Sequence, residues 1–173
     1  MSIEPLSLVI DADIARSSGE TEHPISSGSR RLLEAVSISG HKLALCPTLR
    51  AEWRKHQSRF AIKWLASMYA RKKISSINPQ PEIATHILEN IPDGKEKKIA
   101  LKDCHLLDAA FNTGKIIASN DATARSAFCN IATSKKEICT ISWFNALDDL
   151  DTFTNKALTG KIIPKKFYLS EPS

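Results

Sequence analysis

The sequence lacks the features of a membrane, secreted or zinc-binding protein. Its apolar runs are far shorter than the roughly 20 residues that a membrane-spanning helix needs. Its first residues, MSIEP, lack the cationic start of a signal peptide. The four cysteines form no Cys-x-x-Cys pair and have no histidine at zinc-finger spacing. We therefore predict buried, reduced thiols and a cytoplasmic protein that does not bind a membrane.

The composition indicates a single globular domain, because neither internal repeats nor low-complexity tracts are present. Of the 173 residues, 42% are hydrophobic and 25% are charged, which is ordinary for such a domain. We predict a main domain over residues 1–150 and a C-terminal extension over residues 151–173. The net charge of +5 permits a polyanionic partner.

Short apolar runs alternate with helical patterns along the chain, which predicts an α/β fold. In this fold a mostly parallel central sheet lies between two helical layers, as a three-layer α/β/α sandwich. The predicted strands cover residues 6–10, 42–46, 73–77, 115–119 and 137–141. Predicted helices include residues 30–39, 82–90 and 122–132. Residues 14–29 are expected to form a short helical turn and a loop.

The segment after the second predicted strand combines apolar and basic residues at helical spacing. Trp53 and Trp64 share one stripe with other apolar residues, which predicts a single amphipathic helix with both tryptophans in the core. We predict that basic residues of this segment hold the phosphates of a nucleic acid, the alternative being an ordinary solvated face. These residues are Arg50, Arg54, Lys55, Arg59 and Lys63.

Residues 101–121 contain two acids that point to a cation site. Asp103 lies on the same helical stripe as Leu106, Leu107 and Ala110. An ionised carboxylate on a core-facing stripe is unfavourable unless a cation compensates its charge. The next predicted strand is followed by Asp121, so a helix and a strand deliver acids to one edge of the sheet.

Two further acids are expected at the same edge. Asp11 follows the first predicted strand, and Glu52 lies on the helix after the second. Ligands of α/β sheets bind outside the carboxyl ends of the strands, so these acids should face the same crevice as Asp103 and Asp121. Oxygen ligands without His or Cys favour Mg²⁺ or Mn²⁺ over zinc. Such ions can activate water for attack on a phosphodiester.

The chain resembles the PIN-domain ribonucleases in four segments, which are LVIDADI, LRAEW, KDCHLLDAAF and IIASND. The resemblance implies a PIN-like α/β/α fold and a Mg²⁺- or Mn²⁺-dependent endoribonuclease, a hydrolase of RNA phosphodiester bonds. It implies that Asp11, Asp103 and Asp121 are catalytic metal ligands, and that Glu52 is a further catalytic acid.

The resemblance also implies supporting residues and partners. Ser119 stands where the family usually has Ser or Thr, so its hydroxyl is expected to hydrogen-bond the acids. Asp13 stands where the family more often has Asn, Ser or Thr, and we expect it to point the same way as Asp11, behind the ligands or as an extra one. Many such proteins are toxins with a protein antitoxin and form homodimers, which we carry over as a hypothesis.

Two alternative functions use the same residues. Asp11-Ala-Asp13 after an apolar strand also resembles the haloacid-dehalogenase phosphatases, in which the first Asp is phosphorylated. Their further Lys and acid pair would have to come from Lys136 and residues 148–149, which are poorly spaced. The other alternative is a PIN-like module that binds RNA or protein without catalysis.

Several polar residues near these motifs are expected to have ordinary structural roles. His105 should pack or cap, and Asp108 should face solvent or a salt bridge. Residues 148–151 should form a solvated acidic turn. Arg125 is predicted either to contact a phosphate near the site or to lie on the open surface, and the sequence favours neither alternative.

Overall fold

The computed structural model describes residues 3–170, and its centre is a five-stranded parallel sheet. The strands are β1 Ser7–Ile10, β2 Lys42–Leu45, β3 Ile74–Ser76, β4 Ile116–Ala118 and β5 Ser142–Phe144. Their order is β3-β2-β1-β4-β5, and every neighbouring pair is parallel. The predicted α/β class with a parallel sheet is confirmed.

Helices flank the sheet on both faces. The α-helices of the described part of the chain are α1 Ala12–Ser17, α2 Pro24–Ile38, α3 Pro47–His56, α4 Arg59–Ala70, α5 Glu82–Asn90, α6 Lys95–Phe111, α7 Ala122–Ile131 and α8 Leu150–Thr152. Short 3-10 helices cover Lys136–Thr140 and Lys165–Phe167, and a π-helical turn, Phe153–Ala157, continues α8. Crossovers between parallel strands are right-handed, so α1 to α4 cover one face and α5 to α7 the other. This gives the three predicted layers and is consistent with a PIN-like topology. None of the described helices is both long and apolar enough to cross a membrane.

The central strand β1 is apolar after Ser7, as expected for a strand that is covered on both faces of the sheet. Val9 and Ile10 of β1 are fully buried. Both tryptophans predicted to lie in the core do so. The Trp53 indole donates to the carbonyl of Ile10 at 2.9 Å, and the Trp64 indole donates to the carbonyl of Leu33 at 2.7 Å. The polar ends of these large side chains are therefore satisfied inside the core.

The last strand was predicted in the wrong place. Residues 137–141 belong mainly to a 3-10 helix, Lys136–Thr140, and the strand follows it as Ser142–Phe144. Both segments contain buried apolar residues, so apolarity alone did not separate them. The position of the strand is determined by its pairing with β4, in which Trp143 lies opposite Ile117.

The helix before β2 begins earlier than predicted. Helix α2 starts at Pro24, not at residue 30, so part of the predicted loop is helical. Proline is favourable in the first helical turn because its missing N–H would have no partner there. The His23 side chain accepts a hydrogen bond from the backbone N–H of Ile25 and caps the helix.

The single basic helix predicted after Pro47 is in fact two helices. Gln57 is extended between α3 and α4, and Ser58 begins α4 by accepting a hydrogen bond from the N–H of Ala61 at 3.1 Å. Lys55 therefore lies on α3, whereas Lys63 lies on α4. The continuous basic stripe that the four-residue spacing suggested does not form.

Residues 151–170 pack against the edge of the sheet at β5. Phe153 and Leu169 are fully buried, and the N–H of Leu169 donates to the carbonyl of Ile141 at 3.1 Å. The ring of Phe144 contacts the ring of Phe153 and stacks on that of Phe167. The described part of the C-terminal segment therefore shares the core of the main domain.

A buried histidine ties this segment to the sheet. His41 Nδ1 accepts from the N–H of Leu6 at 3.0 Å, which leaves the proton on Nε2. His41 Nε2 then donates to the carbonyl of Leu158 at 2.7 Å. One neutral imidazole thus links the start of β1, the start of β2 and the C-terminal segment.

Gly28 of α2 touches the loop after β5. A Cβ atom at this position would overlap the carbonyl oxygen of Ala146, whereas a Cβ at Gly19 would meet nothing. The close approach matters because the N–H of Ala146 donates to Asn120 Oδ1 at 2.7 Å, next to the acids described below.

We expect Gly28→Ala to lower the free energy of unfolding by about 1–3 kcal/mol, because the new methyl group must displace backbone. Gly19→Ala is the matched control and should change stability by about 0.5 kcal/mol or less. Urea denaturation measures both. Equal unfolding free energies for the two variants would contradict the close contact.

Candidate functional site

The carboxyl ends of β1 and β4 form the topological switch point of the sheet. From β1 the chain crosses toward β2 and β3, and from β4 it crosses the other way to β5. Crevices open at such points, and ligands of doubly wound sheets bind there. A cleft of about 500 Å³ lies at this position. Its lining includes five acids, Asp11, Asp13, Glu52, Asp103 and Asp121.

Four different elements bring these acids together. Asp11 is the N-cap residue of α1, although its side chain makes no capping hydrogen bond. Asp121 is the N-cap residue of α7, and its Oδ1 accepts from the N–H of Ala124 at 2.9 Å. Asp103 comes from the middle of α6 and is buried, and Glu52 comes from α3. All four acids predicted from the sequence therefore line one cleft.

Ser119 joins two of the acids from the end of β4. Its Oγ is fully buried and donates to Asp11 Oδ2 at 2.7 Å. The same Oγ accepts from the backbone N–H of Asp121 at 3.1 Å. Asp13 Oδ2 lies farther from it, at 3.4 Å. The hydroxyl thus fixes Asp11 relative to the turn that carries Asp121.

Asp13 points into the same cleft as Asp11. Its Oδ2 accepts from the backbone N–H of Asn120 at 3.0 Å, and its Oδ1 is buried without a hydrogen-bond partner among residues 3–170. The Asn120 side chain points away, toward Ala146 and Ser29. No role for Asn120 was predicted from the sequence, because its spacing does not indicate that its backbone N–H donates a hydrogen bond to Asp13.

His105 forms an ion pair with Glu52 across two helices, where packing or capping was expected. His105 Nε2 and Glu52 Oε2 are 3.0 Å apart, and the side chains are 11% and 30% exposed. Burial lowers the pKa of His105, but the hydrogen bond and charge of Glu52 outweigh burial and raise it above 6.5. Contact between α3 and α6 creates this pair, and the sequence carries no local signal of it.

Asp108 was predicted to face solvent or a salt bridge, and this prediction is wrong. Asp108 is only 5% exposed, and its Oδ1 accepts from the backbone N–H of Ile83 at 2.9 Å. Asp108 therefore provides a hydrogen-bond acceptor for a backbone N–H in the first turn of α5. The N-cap residue of this helix, Pro81, makes no side-chain capping bond. The buried carboxylate of Asp108 belongs to the packing of α5 on α6 and not to the cleft.

The other residues weighed from the sequence lie outside the cleft lining. Arg125 is half-buried and donates to the carbonyl of Lys166 at 2.7 Å, which is neither of its two predicted environments. Asp149 accepts from the N–H of Asn145 at 2.9 Å, while Asp148 is exposed. Lys136 is an exposed residue of the 3-10 helix.

The basic residues predicted to bind nucleic acid also lie outside the cleft lining. Arg50 donates to the Tyr69 hydroxyl and to Ser76 Oγ, near the end of β3. The cationic or ionisable nitrogen side chains that do line the cleft are Arg16, His56 and Lys102.

Burial and mutual repulsion raise the pKa values of three acids in the cleft, Asp11, Asp13 and Asp103. Burial raises the pKa of Asp11, although the hydrogen bond from Ser119 opposes this shift. Burial, followed by repulsion from Asp11, raises the pKa of Asp13 to about 8 and that of Asp103 to about 6. Ionised acids are therefore unfavourable in this cleft unless a cation compensates their charge.

The donor set is chemically suited to a hard divalent ion, since the cleft offers carboxylate oxygens. Within residues 3–170, however, no group of three or more His, Cys, Asp or Glu side chains is arranged to hold an ion. The residues therefore fit Mg²⁺ that keeps several waters and is held through one or two carboxylates. They do not fit an ion enclosed by protein ligands.

Comparison with known proteins gave no match to a family model, a curated protein or a solved structure. The PIN resemblance stays a hypothesis that depends on four short segments. The cleft itself is the stronger basis for a function.

The pKa shifts predict that the metal-free protein loses stability as pH rises. The folded-state pKa of Asp13, about 8, exceeds its ordinary value of 3.8, so the folded chain binds more protons between these values. The contribution of Asp13 is fully present below about pH 4 and is lost as pH rises through about 8. We expect Asp13→Asn to stabilise the metal-free protein by about 1–3 kcal/mol at neutral pH and to flatten this dependence.

Urea denaturation at several pH values, in the presence of a chelator, measures the effect. The matched control is Asp148→Asn, which removes an exposed acid outside the cleft. Identical pH profiles for Asp13→Asn and the unmodified protein would contradict the raised pKa.

Proposed function

We propose that this chain is a Mg²⁺- or Mn²⁺-dependent endoribonuclease that hydrolyses phosphodiester bonds of RNA. The observation that carries the proposal is the gathering of five acids in one cleft at the switch point. Burial and repulsion raise the pKa values of Asp11, Asp13 and Asp103. A cluster that opposes folding in the absence of a cation is more readily explained by function than by stability.

In this proposal Asp11, Asp103 and Asp121 hold the ion or the waters around it. Asp121 uses Oδ1 to cap α7, which leaves Oδ2 for this purpose. Asp11 is fixed by Ser119, and Glu52 is oriented by His105. When bound, Mg²⁺ or Mn²⁺ would activate water and stabilise the charge that develops on the phosphate and the leaving oxygen.

Glu52 would contribute differently from the other acids. Its side chain is 30% exposed, and one of its oxygens is held by His105. We propose that it accepts a hydrogen bond from a water molecule or from the substrate, rather than binding the ion. No side chain acts as a nucleophile in this scheme.

The partners follow from the PIN resemblance alone. We propose RNA as the substrate and a toxin activity regulated by a protein antitoxin, with a homodimer as the assembly. The cytoplasmic location that we also propose follows instead from the cysteines, which are predicted to be reduced. The geometry of the cleft supports the hydrolytic part of the proposal and has no bearing on the antitoxin or the dimer.

We expect Asp11→Asn and Asp103→Asn to lose metal-dependent cleavage of a mixed RNA pool by about 100-fold or more. Residues that support metal ligands typically contribute 10–100-fold, so the ligands should contribute at least as much. Each amide removes a charge that burial disfavours, so both variants should remain folded. Cleavage is measured with Mg²⁺, with Mn²⁺ and with a chelator.

Asp148→Asn serves as the control and should cleave like the unmodified protein, since Asp148 lies outside the cleft. Undiminished metal-dependent cleavage in both cleft variants would exclude this site. Cleavage that persists in chelator would exclude the metal requirement.

A second candidate is a module that binds RNA without cleaving it. It is favoured by one observation, the lack of a preformed metal-binding group of three side chains in residues 3–170. Tight RNA binding without turnover in excess Mn²⁺ would support it over the nuclease.

A further inference from the structure

Two exposed cations flank the acids of the cleft from opposite sides of the sheet. Arg16 lies on α1, one turn after Asp13, and Lys102 lies on α6, directly before Asp103. Both line the cleft, and both side chains are exposed. Because α1 and α6 cover different faces of the sheet, the two cations reach the cleft from different walls.

Most Lys and Arg side chains among residues 3–170 form no ion pair, and the two cations of the cleft share this property. Arg16 and Lys102 form no ion pair with any of residues 3–170. By contrast, Lys97 pairs with Asp93, and Arg50 bonds to Tyr69 and Ser76. Two unpaired cations beside a group of acids are therefore available to a ligand.

Arg16 and Lys102 nevertheless interact electrostatically with the acids of the cleft. Burial dominates the pKa values of Asp13 and Asp103, but Arg16 opposes the shift at Asp13, and Lys102 opposes it at Asp103. A phosphodiester that approaches the acids would be repelled by them and attracted by the two cations. Arg can bind phosphate oxygens in a bidentate manner, and Lys binds them as a point charge.

The size of the cleft limits the form of such a ligand. A volume of about 500 Å³ is in the range of pockets that hold small organic molecules, so it admits a short stretch of one strand. Proteins recognise double-stranded RNA by contacts that span its grooves, which a pocket of this size does not offer. The side chain of Ile25, 37% exposed, also lines the cleft and offers an apolar contact to a sugar or base.

We infer that Arg16 and Lys102 clamp the backbone phosphates of single-stranded RNA in this cleft and are the principal substrate-binding cations of the chain. The choice of RNA rests on the proposed function, whereas the clamp itself can be tested without cleavage. The basic residues of α3 and α4 then have at most a long-range attractive effect.

The test is binding of a fluorescein-labelled, single-stranded RNA oligonucleotide to the full chain in chelator, followed by fluorescence anisotropy at several salt concentrations. Arg16→Gln and Lys102→Gln should each raise Kd by about tenfold, as expected for a lost charge-assisted hydrogen bond. Each should also reduce the slope of log K against log salt by about 0.7. A duplex of the same sequence should bind more weakly than the single strand.

Matched controls are Arg31→Gln on α2 and Lys95→Gln at the start of α6, which remove exposed cations outside the cleft lining. Both controls should bind like the unmodified protein. If the two cleft variants also keep the original Kd and salt slope, the clamp is wrong. Equal binding of the duplex would overturn the selectivity for single strands.

A parallel cleavage assay in Mn²⁺ separates the clamp from the nuclease proposal. If the cleft variants lose binding while the unmodified protein never cleaves, the clamp stands and the nuclease proposal falls. If the unmodified protein cleaves and the variants bind and cleave equally well, only the clamp falls. With both correct, the variants should show a raised KM and a nearly unchanged kcat.

Discussion

The pairing of β1 with β4 is the constraint on which the arrangement of the cleft depends. The N–H of Asp11 donates to the carbonyl of Ala118 at 2.9 Å, which continues the pairing one residue past the end of β1. This register places Ser119 Oγ against Asp11 and the turn of Asp121 beside it. Since side chains alternate along a strand, a slip of one residue would turn Asp11 to the opposite face. The sheet therefore fixes Asp11 relative to the turn of Asp121, whereas the positions of Glu52 and Asp103 depend on the packing of α3 and α6.

The remaining structure around the cleft supplies donors to groups that repel one another. The Ser119 hydroxyl donates a hydrogen bond to Asp11, the backbone N–H of Asn120 donates one to Asp13, and His105 donates one to Glu52. Asp103 has no such donor among residues 3–170, and burial raises its pKa. Charges held together at a loss of stability are typical of functional sites, where natural proteins often forgo stability for activity.

Much of the fold could be predicted from the sequence because its signals are local. The helix at residues 82–90 and four of the strands follow from apolar patterns, as do the positions of the four acids at one edge. The errors arose where a distant partner decides the structure. Asp108 is buried because the first turn of α5 needs an acceptor, and His105 meets Glu52 through the packing of α3 on α6. Neither glycine nor proline marks the break at Gln57, and its local signal is Ser58, a residue type preferred at the N-cap position.

The C-terminal segment also changes how the sheet meets its surroundings. A strand at the edge of a sheet exposes unpaired backbone groups to which another chain can add. At β5 the bridge between Ser142 and Tyr168 and the bond from Leu169 to Ile141 place the chain's own backbone along that edge. The opposite edge strand, β3, is as short as β5 but directly follows Lys72 and Lys73, whose charges disfavour the addition of another strand. One edge is thus protected by the C-terminal segment and the other by charge, so trimming that segment would expose the β5 edge and leave the β3 edge unchanged.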